Sequence, residues 1–144
     1  MSSIASNKVK YLLATGVILF QSHSFKIILM ATGFVFNKDT HHVYADVLAS
    51  ELPTGFGYTQ GTKVLAGVVV TEDDTDDRTE VTWTNPSWTA AGGSIGPTPG
   101  AIIYDDTVAA PVVDPIVGYI DFSGDQTQAD GGIATISNVE FRVA

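Results

Sequence analysis

The 144-residue chain has no cysteine, so neither a disulfide nor a thiolate metal site contributes to it. Its stability must come from packing or from association. Cations are scarce: 7 Lys and Arg stand against 16 Asp and Glu, for a formal charge of −9. That balance disfavours phosphate backbones and anionic membrane surfaces, which are held by cationic side chains. Neither nucleic acid nor membrane is expected as a partner. Charge of either sign is thin, at 16 % of residues against the usual figure of about 25 %. Long hydrophobic runs are also missing. The stretch Tyr11 to Phe20 is about half of the ~20 residues that a bilayer needs. Lys8 and Lys10 give it the look of a signal peptide, yet Gln21-Ser22-His23-Ser24 offers no small-x-small cleavage site. The stretch is therefore expected to be structural.

What is present is apolar enough to fold. Hydrophobic residues make up 44 % and mean hydropathy is +0.19, the opposite of a disordered composition. The length suits one domain over 1–144, with 1–23 as an N-terminal helix or arm and 24–144 as the body. Asn7 is placed to cap a short helix with Val9, Leu12 and Leu13 on one stripe, and Gly16 to end it. Phe25-Lys26-Ile27-Ile28-Leu29-Met30 is apolar without alternation and predicts a strand buried on both faces. Phe34-Val35-Phe36 is expected to pair nearby, and His41 to Pro53 to be loop with at most one helical turn.

Short β-type runs then follow one another. Lys63 to Thr71 predicts one long strand interrupted at Gly67 by a bulge or a close approach. Thr79, Val81 and Trp83 alternate with Glu80, Thr82 and Thr84, as in a half-buried antiparallel strand. Trp83 and Trp88 are expected to anchor the core. Ala91 to Gly100, rich in Gly and Pro, predicts an irregular corner without a ladder. Strands are expected at Ala101 to Tyr104, Ile116 to Phe122, Ile133 to Ser137 and Val139 to Val143, with a polar turn from Ser123 to Gly132. About eight short strands and a short N-terminal helix predict a mainly all-β fold, an antiparallel β-sandwich of jelly-roll type.

The order Gly57-Tyr58-Thr59-Gln60, the strand to Val70, the Trp83 strand, Gly100-Ala101-Ile102-Ile103-Tyr104-Asp105 and Val117 to Phe122 resembles one family. It is similar to small virion structural proteins of tailed bacteriophages, over roughly residues 25 to 144. The resemblance implies a non-enzymatic building block, placed outside the particle by its acidity. A capsid decoration or cement protein is expected, a homotrimer on the major capsid protein at the outer capsid surface. A tail or short-fibre component is the first alternative. The second is a carbohydrate-binding sandwich that stacks sugars on Trp88, Tyr58 or Tyr104.

The reactive side chains form no recognisable motif. Glu72, Asp73, Asp74, Asp76 and Asp77 cluster, but without the glycine and glutamate of a calcium-binding EF-hand loop, so a solvated hairpin tip is expected. Asp105, Asp106, Asp114 and Asp121 suggest the carboxylate pair of glycoside hydrolysis, but Asp105 and Asp106 point to opposite faces of a strand, and turn formation explains an Asp after Tyr104 more simply. His41-His42 diverge on an extended chain. A triad using His23, His41 or His42 has no nucleophile elbow to support it. Gly92-Gly93-Ser94-Ile95-Gly96 lacks the Lys-Ser/Thr end of a phosphate loop. No catalytic residue, metal or cofactor is expected. The residues expected to touch a partner are apolar ones in loops: Phe56, Ile95, Pro97, Val112 and Val113.

Overall fold

The structure, a computed structural model, describes residues 2–144. Its centre is a five-stranded antiparallel sheet in the order β1-β8-β7-β2-β3, formed by Ser2–Ala5, Ile116–Gln128, Ile95–Asp105, Phe25–Leu29 and Val64–Leu65. A three-stranded sheet, β10-β5-β4, is built from Glu140–Val143, Arg78–Thr82 and Val69–Asp73. A two-stranded sheet pairs β6 (Ser87–Thr89) with β9 (Ile133–Thr135). The all-β expectation holds, with a sandwich-like arrangement.

The unbroken apolar run in β2 is explained by cover on both sides. Phe25, Ile27 and Leu29 join Ala101, Ile103 and Ile120 in a core shared with Val81 and Phe141 of the second sheet. Ile28 and Met30 face the other way, beside Ile102, Tyr104, Ile116 and Tyr119. The N-terminal helix α1 (Asn7–Ala14) lends Val9 and Leu12 to the first core. Phe34, Phe36, Tyr44 and Val47 roof the second. Trp83 and Trp88 lie in the first core as expected. Phe25 packs on Phe20 and Trp83 with ring centroids 5.3 and 5.5 Å away, within the range of favourable aromatic pairs.

Several local expectations need correction. The N-cap is Ser6, not Asn7: the buried Ser6 Oγ accepts from the N–H groups of Lys8 and Val9. The residues before it form β1 along β8. The stretch Lys63 to Thr71 is two strands in different sheets. Gly67 adopts φ +66°, and an added Cβ would come within 2.5 Å of Thr84 Oγ1, so the chain turns there to cross between layers. Among the described residues Phe34 to Phe36 pairs with no strand; the Phe34 and Phe36 rings instead pack on Tyr119, at 5.6 and 5.5 Å. His41 to Pro53 contains the helical turn α2 (Tyr44–Val47) and a 3₁₀ turn, Leu48–Ser50.

The largest departure concerns β7 and β8. Ladder pairing begins at Ile95, inside the expected corner, and continues to Gln128, through the expected turn. The register shifts between Ile95 and Thr98 and again between Thr98 and Gly100. Such bulges let Gly and Pro occupy a strand that a regular ladder would refuse them.

Candidate functional site

The loop after the 3₁₀ turn presents an exposed phenylalanine. Phe56 stands 56 % exposed between Gly55 and Gly57, in the left-handed region at φ 54°. A bulky residue there is strained, by about 1–2 kcal/mol. The surroundings enforce the strain. Gly55 and Tyr58 exchange backbone hydrogen bonds of 2.8 and 3.0 Å, and Ala91 N–H donates to Phe56 O at 3.1 Å. Gly57 lies so close to the Thr89 carbonyl that any Cβ would collide with it. The Phe56 ring rests on Gly93, which likewise has no room for a side chain. The ring is seated along Gly93 and otherwise largely open.

A buried carboxylate anchors this loop. Glu51, 4 % exposed, accepts from Tyr44 Oη at 2.5 Å, Tyr58 Oη at 2.7 Å and Gly61 N–H at 2.9 Å. Tyr58 Oη in turn accepts from Leu29 N–H of β2 at 2.9 Å. The loop is thus tied to the central sheet by groups with no water to fall back on. Tyr44 stacks on Tyr104 with centroids 4.6 Å apart.

The tyrosines give the fold an alkaline limit. Burial, then the bond to Glu51, raises Tyr58 and Tyr44 far above the ordinary phenol value. Burial, then nearby carboxylates, raises Tyr104, and burial with Asp121 and Asp125 pushes Tyr119 up to about 12. A group whose folded value is raised stabilises the fold fully below its unfolded value and loses that contribution as pH rises toward the folded one. Above about pH 10 the unfolded chain gives up these protons while the folded chain keeps them, so stability falls with pH. Tyrosinate absorbance is expected to rise with loss of circular dichroism in one cooperative step between about pH 10 and 12. Phenolate forming at Tyr44, Tyr58, Tyr104 or Tyr119 without unfolding, followed in a chain whose exposed Tyr11 is replaced by Phe, would contradict this packing.

The other expected contact residues separate into two groups. Pro97 is exposed, and Val113 is 61 % exposed in the loop between β7 and β8. Val112 is half-buried and packs against the main core. Ile95 is corrected: at 3 % exposure it belongs to that core, because β7 has already begun there. The sugar platforms are likewise filled. Tyr58, Tyr104 and Trp88 are 2 %, 1 % and 5 % exposed, and Lys63 Nζ lies 5.2 Å from the Trp88 ring centroid.

The acidic tip is organised by protein groups. Arg78 reaches Asp73 at 3.5 Å, Asp76 at 3.1 Å and Glu80 at 2.5 Å, while Asp73 Oδ1 accepts from the N–H groups of Thr75 and Asp76. Among the described residues no group of three or more His, Asp or Glu is placed to hold a metal. Millimolar Ca²⁺ is accordingly expected to move the melting temperature by less than about 1 °C, whereas a ligand present at 100 times its Kd would add about 2.7 kcal/mol.

One polar pair escaped the sequence. His23 Nδ1 lies 2.6 Å from Oδ2 of the fully buried Asp105, whose Oδ1 accepts from Thr107 N–H at 2.9 Å. A general base held by a carboxylate looks like this, but such a base needs a hydroxyl or thiol on its other nitrogen. Among the described residues no hydroxyl bonds that ring; Thr107 Oγ1 accepts from Ser24 N–H instead. The pair clips the end of β7 to the start of β2. Their wide separation in sequence left no local signal.

The chain matches no protein-family model, no curated protein and no solved structure.

Proposed function

We propose that this chain is a non-enzymatic structural protein of a tailed-phage virion that docks on the outside of the shell built by the major capsid protein. The observation that carries the reading is the Phe56 loop. An exposed aromatic side chain is held in a strained conformation by a buried hydrogen-bond network, and strain of this kind is maintained at contact and ligand sites. A rigid aromatic anchor loses little entropy on binding and suits the centre of a protein interface. The thin, negative charge of the chain and the order of its β runs, which resembles phage virion proteins, point the same way.

Within that class the reading is a capsid decoration or cement protein, assembled as a homotrimer. It would cover joints between capsomers, so that internal pressure must separate more buried surface. A tail or short-fibre position is the second reading. β1 and β10, the outer strands of two sheets, border a cleft of about 600 Å³ suited to the lateral contacts between copies that either position requires. Co-sedimentation of the purified chain with emptied heads tests the proposal. Saturable binding that raises the temperature at which heads rupture is expected; binding only to isolated tails would replace the first reading by the second, and binding to neither would end both.

A further inference from the structure

The sheet formed by β6 and β9 has only two strands of three residues each, below the three strands at which a sheet becomes independently stable. Its free side opens on a cavity of about 420 Å³. Leu29, Trp88, Ile95 and Ile136 line the cavity, Gln126 to Gln128 of β8 form one rim, and Ile133 to Thr135 of β9 form the other. Among the described residues no charged side chain lines it. Consecutive residues on both rims mean that strand edges, not only side-chain faces, border the space.

The hydrogen-bond pattern fixes which backbone groups are available. Ala90 N–H donates to Gly132 O at 2.8 Å and Ile136 N–H to Pro86 O at 3.1 Å, with Trp88 opposite Ala134 between them. In an antiparallel ladder bonded and non-bonded pairs alternate, so the Gly132 carbonyl, the backbone groups of Ala134 and the Ile136 amide face β6, while Gly132 N–H closes the turn on Ala129 O. Ile133 and Thr135 direct theirs away from it, toward the unpaired side. On the other rim, a Cβ on Gly96 would come within 2.5 Å of Gln126 O, so that carbonyl points to β7. Thr127 N–H, opposed to it across the same peptide plane, points away. β8 and β9 are not neighbours in any sheet.

We infer that this slot receives an extended, uncharged polypeptide segment of the protein on which the chain docks, added as a third strand on β9. This rests on the docking reading above and supplies the chemistry of the partner. Two rims of three residues span about 10 Å, room for three or four residues in strand conformation. The neutral lining excludes charged side chains, which would be desolvated without a counterion. Trp88 offers a saccharide no free ring face, being buried beneath Lys63, and the cavity's other ring, the half-buried Phe122, packs against the main core. A second copy offers a poor donor in its apolar 108–113 loop, which is bent back on itself by Asp114 N–H donating to Val108 O at 3.1 Å.

Thr135→Pro removes an outward N–H while sparing the bonds to β6, a position where strands tolerate proline. The full chain is panned against a displayed library of uncharged heptapeptides, and the enriched peptides are titrated against both proteins. Binding at least tenfold weaker to Thr135→Pro is expected, with slowed amide exchange at Ile133 and Thr135 in the wild-type complex. Ile133→Asp, at a site 61 % exposed, repeats the test should the proline variant not fold. Equal binding to wild type and variant, failure to enrich any peptide, protection that arises from self-association, or a neutral oligosaccharide protecting the same amides would each overturn the inference. A chain that binds such peptides yet ignores heads and tails keeps the slot and loses the virion reading. One that binds heads equally well with and without Thr135→Pro does the reverse.

Discussion

Phe56→Gly is expected to abolish docking while leaving the fold as stable as before, or more stable by up to about 1 kcal/mol. Most substitutions that damage an interface say nothing about the fold, but this one has a signed expectation for both. The φ of 54° is strained for Phe and ordinary for Gly, so the free protein gains what the ring had opposed. Against that stands the seated ring face on Gly93, a partial contact on a side chain already 56 % exposed. For docking, an aromatic anchor at the centre of an interface contributes at least about 2 kcal/mol, or roughly thirtyfold in affinity. Thermal melting and head co-sedimentation of the same preparation decide it. A variant that melts much lower, or that binds undiminished, would show the loop to be a structural corner and nothing more.

Glu51→Ala has the largest expected effect on stability. It removes one acceptor atom pair and strands donors from Tyr44, Tyr58 and Gly61, with Tyr58 and Glu51 themselves 2 % and 4 % exposed. A hydrogen bond to a charged group contributes about 1.5–3 kcal/mol, and a donor left buried without a partner costs about 1–3 kcal/mol. The sum is held near 4 kcal/mol because the cavity lets water in, which is a large share of the 5–15 kcal/mol typical of a domain. The melting temperature should drop by about 10–15 °C. Glu51→Gln keeps an acceptor and should lose less than half of that. Equal losses for the two variants would mean that shape rather than hydrogen bonding holds the loop.

The parts of this fold that could be read in advance are those where one physical effect dominates. Burial on both faces left β2 without alternation, and burial on one face gave the strand through Val81 and Trp83 its period of two. The Phe56 loop is visible in the sequence because two glycines flank an aromatic residue three positions after Pro53. The ends of β7 and β8 were hidden for the opposite reason. Ser123 to Gln128 has the composition of a turn, and only pairing across the bulges with Ile95 and Thr98 makes it strand. Ile95 was misjudged with it, since a residue in a Gly-rich corner is exposed and the same residue at the start of a strand is not. The split at Gly67 depends on Thr84 approaching it, a tertiary fact. The His23–Asp105 pair and the bonds of Glu51 join segments that sequence spacing does not bring together. The Phe56 side of the candidate site was therefore legible, and the network that makes it rigid was not.

Whether the chain is part of a virion is decided on purified particles, by counting its copies with quantitative mass spectrometry and imaging them by electron microscopy. A copy number in fixed ratio to the major capsid protein is expected, with density on the outer shell and the Phe56 loop turned toward it. Particles that carry none of the chain would contradict the virion reading.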